Sequence, residues 1–129
     1  MKPTKIDHIG IVVTDIEAAL ATFQRNFGFA ATASRGGDVP ALGIRNAFVP
    51  VGESDLEFIQ STITEGPVAG FANDRGEGMF MLSLAVDDID AAVEHLRALG
   101  ARVGNPSNGV AFVSMKATHG VNLQLVQRS

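Results

Sequence analysis

The sequence predicts an α+β fold made of two pseudo-symmetric βαβββ modules, and two internal repeats carry this prediction. The stretches His8–Leu20 (HIGIVVTDIEAAL) and Met81–Val93 (MLSLAVDDIDAAV) follow one pattern, in which an apolar strand leads through an acidic turn into an amphipathic helix. Each half then closes on a similar strand, Leu56–Gln60 (LEFIQ) or Leu123–Gln127 (LQLVQ). A repeated supersecondary unit indicates a duplicated domain. We therefore expect curved mixed sheets that enclose a cleft, with the helices outside.

The length and composition of the chain limit its function. Its 129 residues fit one domain, in which we place module 1 at 5–60, a linker at 61–78 and module 2 at 79–127. Without cysteine the chain has neither disulfides nor thiolates. No run of about 20 apolar residues could span a membrane and no apolar leader opens the chain, so we expect a cytoplasmic protein. The net charge of −4, the scattered basic residues and the absence of Trp and Tyr argue against nucleic-acid binding.

Module 1 begins with a strand at 5–13, where the residues alternate between two faces. Thr14 and Glu17 form a capping-box pattern at the start of a helix that ends at Gly28. The remaining predicted elements are a short strand at Ala30–Ser34, a mobile Gly-rich loop at 35–38, and strands at 43–51 and 55–60.

Module 2 repeats this plan after a short helical turn in the linker, at 67–72. Its helix carries apolar residues at helical spacing and is stopped by Gly100. Its predicted strands lie at 79–86, 101–103, 110–114 and 121–126.

Polar residues share the strand face that points away from the predicted helices. A buried polar group without a partner costs about 1–3 kcal/mol, so these residues need partners. One interpretation is a metal site across the pseudo-twofold axis, with one residue from each of four strands. For His8 alone, the alternative is a core histidine with satisfied hydrogen bonds. The residues predicted to lie on this strand face are His8, Gly10, Asp55, Glu57, Met81, Ser83, Asn122 and Gln124.

The chain resembles the vicinal oxygen chelate (glyoxalase/bleomycin-resistance) superfamily, and within it the methylmalonyl-CoA epimerase branch. The similarity covers nearly the whole chain, and the 75–78 and 116–121 segments are the most specific to that branch. The segments that carry it are Ile6–Val13 (IDHIGIVV), Arg45–Gly52 (RxAFVPVG), Leu56–Phe58 (LEF), Pro67–Phe71 (PVAxF), Arg75–Gly78 (RGEG), Val86–Ile89 (VDDI) and Lys116–Val121 (KxTHGV).

The resemblance implies a divalent metal held by His, Glu or Gln, His, and Glu, one from each of four strands. His8 and Glu57 match, whereas Met81 and Gln124 replace the second His and the final Glu, and Leu42 replaces a further catalytic carboxylate. His8, Glu57 and Gln124 would remain as ligands for Co, Zn, Ni, Mg or Fe. A thioether is a weak ligand for most of these ions and an amide carries no charge. We therefore expect the metal to be held weakly or not at all.

The resemblance leaves two functions of different classes open. The first, which we favour, is a methylmalonyl-CoA-epimerase-like enzyme acting on a small acyl-CoA or related carbonyl compound. It would abstract the α-proton and stabilise the enolate, with Glu57 or His8 as the base. The second is a metal-free protein that sequesters a small molecule, as the antibiotic-binding branch does. The lack of Trp and Tyr counts against a flat, stacked drug. The resemblance also implies a homodimer.

Several further residues are predicted to contact substrate. Arg45 would anchor a carboxylate or thioester, with an ordinary surface arginine as the alternative. Lys116 precedes the last strand and would meet a CoA phosphate, with a solvated loop as the alternative. Ser83 and Asn122 would orient a carbonyl group by hydrogen bonds, while Met81 and Leu42 would supply apolar lining.

Overall fold

A computed structural model describes residues 1–128, and the α+β fold class is confirmed. Over these residues no helix is long and apolar enough to cross a membrane. The strands are β1 (Lys5–Val12), β2 (Gly36–Val39), β3 (Ile44–Val51), β4 (Ser54–Ser61), β5 (Gly78–Val86), β6 (Val110–Val113) and β7 (Leu123–Gln127). The helices are α1 (Ile16–Phe27), α2 (Pro67–Arg75) and α3 (Ile89–Ala98), with 3-10 turns at Pro40–Leu42 and Met115–Ala117.

Contacts divide the chain into two compact units. The first unit is Ile9–Phe80, and the second unit is Met1–His8 together with the chain from Met81 onward. Strand β1 contributes to both. Its beginning lies in the second unit, where the backbone N–H of Thr4 donates to Ala85 O (2.9 Å). Its end lies in the first unit, where the N–H of Val13 donates to Ile59 O (2.9 Å).

The first unit contains an antiparallel array of β2, β3 and β4, with α1 packed on one face. Helix α1 presents its predicted apolar stripe, including Ile16 and Phe23, to Val49 and Phe58. Phe58 is fully buried, which is worth roughly 1.5–3 kcal/mol for a side chain of this size. The register pairs Ala47 with Phe58 on this face. One residue further along, Phe48 pairs with Glu57 and therefore lies on the face away from the helix.

The second unit has the same design. Strand β7 pairs in parallel with β5 and antiparallel with β6, so the pairing is mixed, as predicted. Its core joins α3 to one face of these strands and comprises Val86, Ile89, Ala92, Val93, Ala111, Val113 and Leu125. The register places Ser83 and Phe112 on either side of Gln124, on the opposite face.

The predicted capping box at Thr14 was wrong, because the next residue caps helix α1. Asp15 accepts a hydrogen bond from Ala18 N (3.2 Å), as Asp88 does from Ala91 N (3.1 Å) at the start of α3. Thr14 instead donates its N–H and its hydroxyl group to Glu77 Oε2, at 2.9 and 3.2 Å. An aspartate reaches the free N–H groups of the first turn as well as a threonine does.

A repeated glutamine supplies a second interaction at each helix start. Gln60 Oε1 accepts from Ile16 N (3.0 Å), and Gln127 Oε1 accepts from Ile89 N (2.9 Å). These side chains tie the last strand of each half to its helix and explain why the LEFIQ and LQLVQ segments both end in Gln.

Replacing Gln60 by Ala should therefore lower the free energy of unfolding by about 1 kcal/mol, the usual value of a lost N-terminal cap. Urea unfolding of Gln60→Ala and of Gln24→Ala, an exposed position on α1, would test this. Equal stability of the two variants would contradict it.

Two predicted strands are absent or displaced. The strand predicted at Ala30–Ser34 was wrong, because β2 begins only at Gly36. A single backbone hydrogen bond joins the predicted segment to β3, from Thr32 N to Phe48 O (2.7 Å). The segment predicted as a mobile loop forms this strand instead. Gly36 approaches β3 so closely that a Cβ would lie 2.8 Å from Asn46 O, at φ +96°. The strand predicted at 101–103 reduces to one isolated bridge between Val103 and Val113.

Candidate functional site

In the first unit, Glu57 is a buried carboxylate on the strand face that points away from α1. It is 7% exposed, and Asn46 Nδ2 donates to its Oε2 at 2.9 Å. An amide N–H group is a directional donor, so this contact fixes the orientation of the carboxylate. The other amide atom, Asn46 Oδ1, is buried and has no hydrogen-bond partner among residues 1–128. Asn46 therefore orients Glu57 although this leaves an acceptor unsatisfied.

A residue that the sequence analysis did not single out, Arg35, lies on the same face. Its guanidinium carbon lies 3.8 Å from the centroid of the Phe48 ring, and its Nη1 donates to Asp55 Oδ2 at 2.9 Å. Phe48 is the direct cross-strand neighbour of Glu57. No local sequence signal marks Arg35, because its position depends on the pairing of β2 with β3.

Arg45, the predicted anion anchor, lies on the helix-side face of β3, since its register partner is Gln60. It donates to Glu17 Oε1 (2.8 Å) and lies 3.3 Å from Asp38 Oδ1. The hydrogen bond with Glu17 raises the pKa of Arg45 and lowers that of Glu17 relative to their ordinary values. Both groups are solvated, so the pair contributes little to stability. Leu42 is 67% exposed at the end of a 3-10 turn.

In the second unit, His8 is buried next to an equally buried carboxylate. The Nδ1 of His8 lies 2.7 Å from Asp7 Oδ2, while Arg128 Nε donates to Asp7 Oδ1 at 2.9 Å. Burial by itself raises the pKa of Asp7, but hydrogen bonds from Arg128 and His8 outweigh burial and hold that pKa below its ordinary value. An ionised Asp7 accepts a hydrogen bond from Nδ1–H of His8, which orients the imidazole ring. Metal-ligating histidines are commonly oriented by a carboxylate in this way.

Of the other predicted residues of the second unit, Ser83 and Gln124 form a hydrogen-bonded neutral pair. Ser83 is fully buried and donates its hydroxyl group to Gln124 Oε1 at 2.8 Å. With that oxygen engaged, the Gln124 amide presents its Nε2–H groups as donors. Met81 is also buried, and the backbone carbonyl of Asn122 accepts from Leu82 N (3.0 Å). Lys116 is exposed in the Met115–Ala117 turn.

The residues present do not make a full metal ligand set. Among residues 1–128, no group of three or more His, Cys, Asp or Glu side chains is arranged to hold a metal ion. In the first unit Glu57 is accompanied by an amide, and in the second unit Gln124 Oε1 already accepts from Ser83. Amides are weak ligands for divalent ions compared with carboxylates and imidazoles.

The chain is similar in sequence to proteins named as acyl-CoA epimerases. It is 31% identical over 133 residues to the ethylmalonyl-CoA/methylmalonyl-CoA epimerase of Cereibacter sphaeroides, covering 95% of this chain and 97% of that protein. It is 29% identical over 131 residues to human mitochondrial methylmalonyl-CoA epimerase, covering 95% and 73%.

The fold is also similar to that of a solved epimerase structure. A variant of Streptomyces coelicolor methylmalonyl-CoA epimerase in complex with 2-nitronate-propionyl-CoA superposes with a TM-score of 0.88 at 26% identity, covering 99% of this chain and 96% of that one. Residues 7–118 match the family model described as Glyoxalase/Bleomycin resistance protein/Dioxygenase superfamily. Because the match extends over most of the chain, the protein belongs to that superfamily.

Proposed function

We propose that the protein removes and returns the α-proton of a small acyl-CoA thioester of the methylmalonyl-CoA type. The observation that carries this proposal is the buried Glu57 carboxylate oriented by Asn46. Two observations support the choice of substrate: the chain is similar to methylmalonyl-CoA epimerases, and a similar structure is a complex with a CoA ester. Burying a carboxylate costs free energy even when it is hydrogen-bonded, so a protein that retains one gains something from it.

The reaction needs a base and a means of stabilising the enolate. Glu57 takes the proton as the α-carbon–hydrogen bond breaks, and the electron pair moves to the thioester oxygen to form the enolate. Returning a proton to either face of the α-carbon restores the thioester. In the second unit, taken by itself, the Gln124 amide that Ser83 holds has the chemistry of an oxyanion donor that needs no metal, and His8, which Asp7 orients, has the chemistry of a proton carrier.

The test is deuterium wash-in at the α-carbon of methylmalonyl-CoA in D2O, followed by NMR and mass spectrometry. The metal-depleted protein should exchange the α-proton faster than the protein-free control, because its base and donors are side chains. A rate equal to that of the control would sink the proposal.

A second candidate, sequestration of a small molecule, is favoured by one observation. Phe112 is 51% exposed next to Gln124, so this face offers an apolar surface together with an amide. Thermal-shift screening separates the two functions. Stabilisation by CoA esters supports the enzyme, whereas stabilisation only by aromatic antibiotics would support sequestration.

A further inference from the structure

In the first unit, two side-chain contacts hold Arg35 on the strand face that carries Glu57. Arg35 stacks on Phe48 and pairs with Asp55, and Phe48 is paired across the strands with Glu57. The Cβ atoms of directly opposed residues lie about 4.5–5.5 Å apart. Phe48, which the guanidinium group covers, and Asp55, with which it pairs, both lie on the strand face that carries Glu57.

The backbone and the side-chain contacts both restrict Arg35. The next residue, Gly36, lies against the backbone of β3, where even a Cβ would be 2.8 Å from Asn46 O. The Phe48 ring lies 3.8 Å from the guanidinium carbon, and the planar, delocalised guanidinium group is better suited than the compact ammonium group of Lys to lie on an aromatic face. A side chain that is already fixed loses less conformational entropy when it binds a ligand.

Arg35 also retains hydrogen-bonding capacity. Its side chain is 40% exposed, and the ion pair with Asp55 uses one Nη1 contact out of the five donors that a guanidinium group has. Arg45 differs, because Glu17 and Asp38 both hold it on the helix-side face of the same strand. Of these two arginines, only Arg35 shares a face with the proposed base.

We infer that Arg35 binds the free carboxylate of a malonyl-type thioester. This inference rests on the function proposed above and deepens it by naming the group that recognises the substrate. An anionic base repels a substrate that carries a carboxylate on the carbon to be deprotonated. A guanidinium group fixed on the same face offsets that repulsion and can bind the carboxylate through two N–H donors.

Two ligands that differ only in this carboxylate provide the test. Methylmalonyl-CoA and isobutyryl-CoA share the CoA moiety, and a methyl group replaces the carboxylate in the second. The ratio of their dissociation constants, measured by calorimetry, therefore cancels every contact to CoA. The wild-type protein should prefer methylmalonyl-CoA by at least about 10-fold, a modest value for a charge-assisted hydrogen bond.

Variants then assign the preference to a residue. Arg35→Gln should lower the ratio about 10-fold, and Arg35→Lys should restore it only in part, since lysine keeps the charge but not the planar fork. Asp55→Asn removes the competing carboxylate and should raise the ratio, a gain that a merely structural role would not produce. Arg45→Gln is the matched control and should leave the ratio unchanged. Circular dichroism verifies that each variant is folded.

Each outcome decides a different point. A wild-type protein that binds both esters equally, or an Arg35→Gln variant that keeps the full ratio, overturns the role of Arg35 and leaves the proposed function standing. Loss of the ratio in Arg45→Gln instead would assign the anchor to Arg45. A wild-type protein that binds neither ester overturns the proposed function and this inference together.

Discussion

Replacing Glu57 by Gln should lower the rate of α-deuterium exchange at least about 100-fold, the lower range for loss of a general base. An amide has nearly the same shape as a carboxylate but does not accept the proton. Its oxygen can still receive the hydrogen bond that Asn46 Nδ2 now gives to Glu57, so the fold should persist. The measurement compares wash-in rates of variant and wild-type protein at one saturating concentration of methylmalonyl-CoA.

Glu65→Gln is the matched control, because Glu65 is an exposed glutamate of the same unit and the substitution removes the same charge. It should exchange deuterium at the wild-type rate. If Glu57→Gln retained the wild-type rate, another group would be the base, and the same assay on His8→Gln would then test the buried imidazole.

Strand parity explains why much of the site could be predicted from the sequence. Successive residues of a strand point to opposite faces, so a stripe such as Leu56 and Phe58 assigns Glu57 to the other face. The same reasoning places Ser83 and Gln124 together on the face away from α3. Helix α1 was predicted correctly because its apolar residues recur at helical spacing.

The alternation of side chains along a strand does not predict every contact of the site, as Arg35 and Arg45 illustrate. The alternation of a strand assigns Arg45 to the helix side, because it lies one residue from Asn46, and there it pairs with Glu17 rather than with a substrate anion. Arg35 precedes a strand that glycines make irregular, so its contacts with Phe48 and Asp55 follow from tertiary pairing alone. Asp7 and Arg128 stand near opposite ends of the sequence, and no local pattern predicts their ion pair.

Replacing Asp7 by Asn should lower the free energy of unfolding at pH 7 by about 2 kcal/mol, the cost of breaking a buried, charged hydrogen-bond network. The Asp7 carboxylate is 5% exposed; it accepts a hydrogen bond from Arg128 and lies 2.7 Å from His8 Nδ1. The single oxygen of an asparagine amide can accept only one of these two hydrogen bonds, and it carries no charge. Arg128 itself is 44% exposed and stays solvated, which keeps the cost below that of a fully buried pair. Urea unfolding of both proteins measures the difference.

The pH dependence of that difference distinguishes the charge from the shape of Asp7. Because the pKa of Asp7 in the folded protein lies below its ordinary value of 3.8, its contribution is fully present above that value. The contribution is lost as the pH falls through the lower pKa of the folded state. The gap between wild type and Asp7→Asn should therefore shrink as the pH falls below 3.8. Glu17→Gln, which breaks the solvated pair with Arg45, should leave the urea midpoint nearly unchanged. A gap for Asp7→Asn that stayed the same size in acid would mean that packing, and not the ionised carboxylate, accounts for the stability that Asp7 provides.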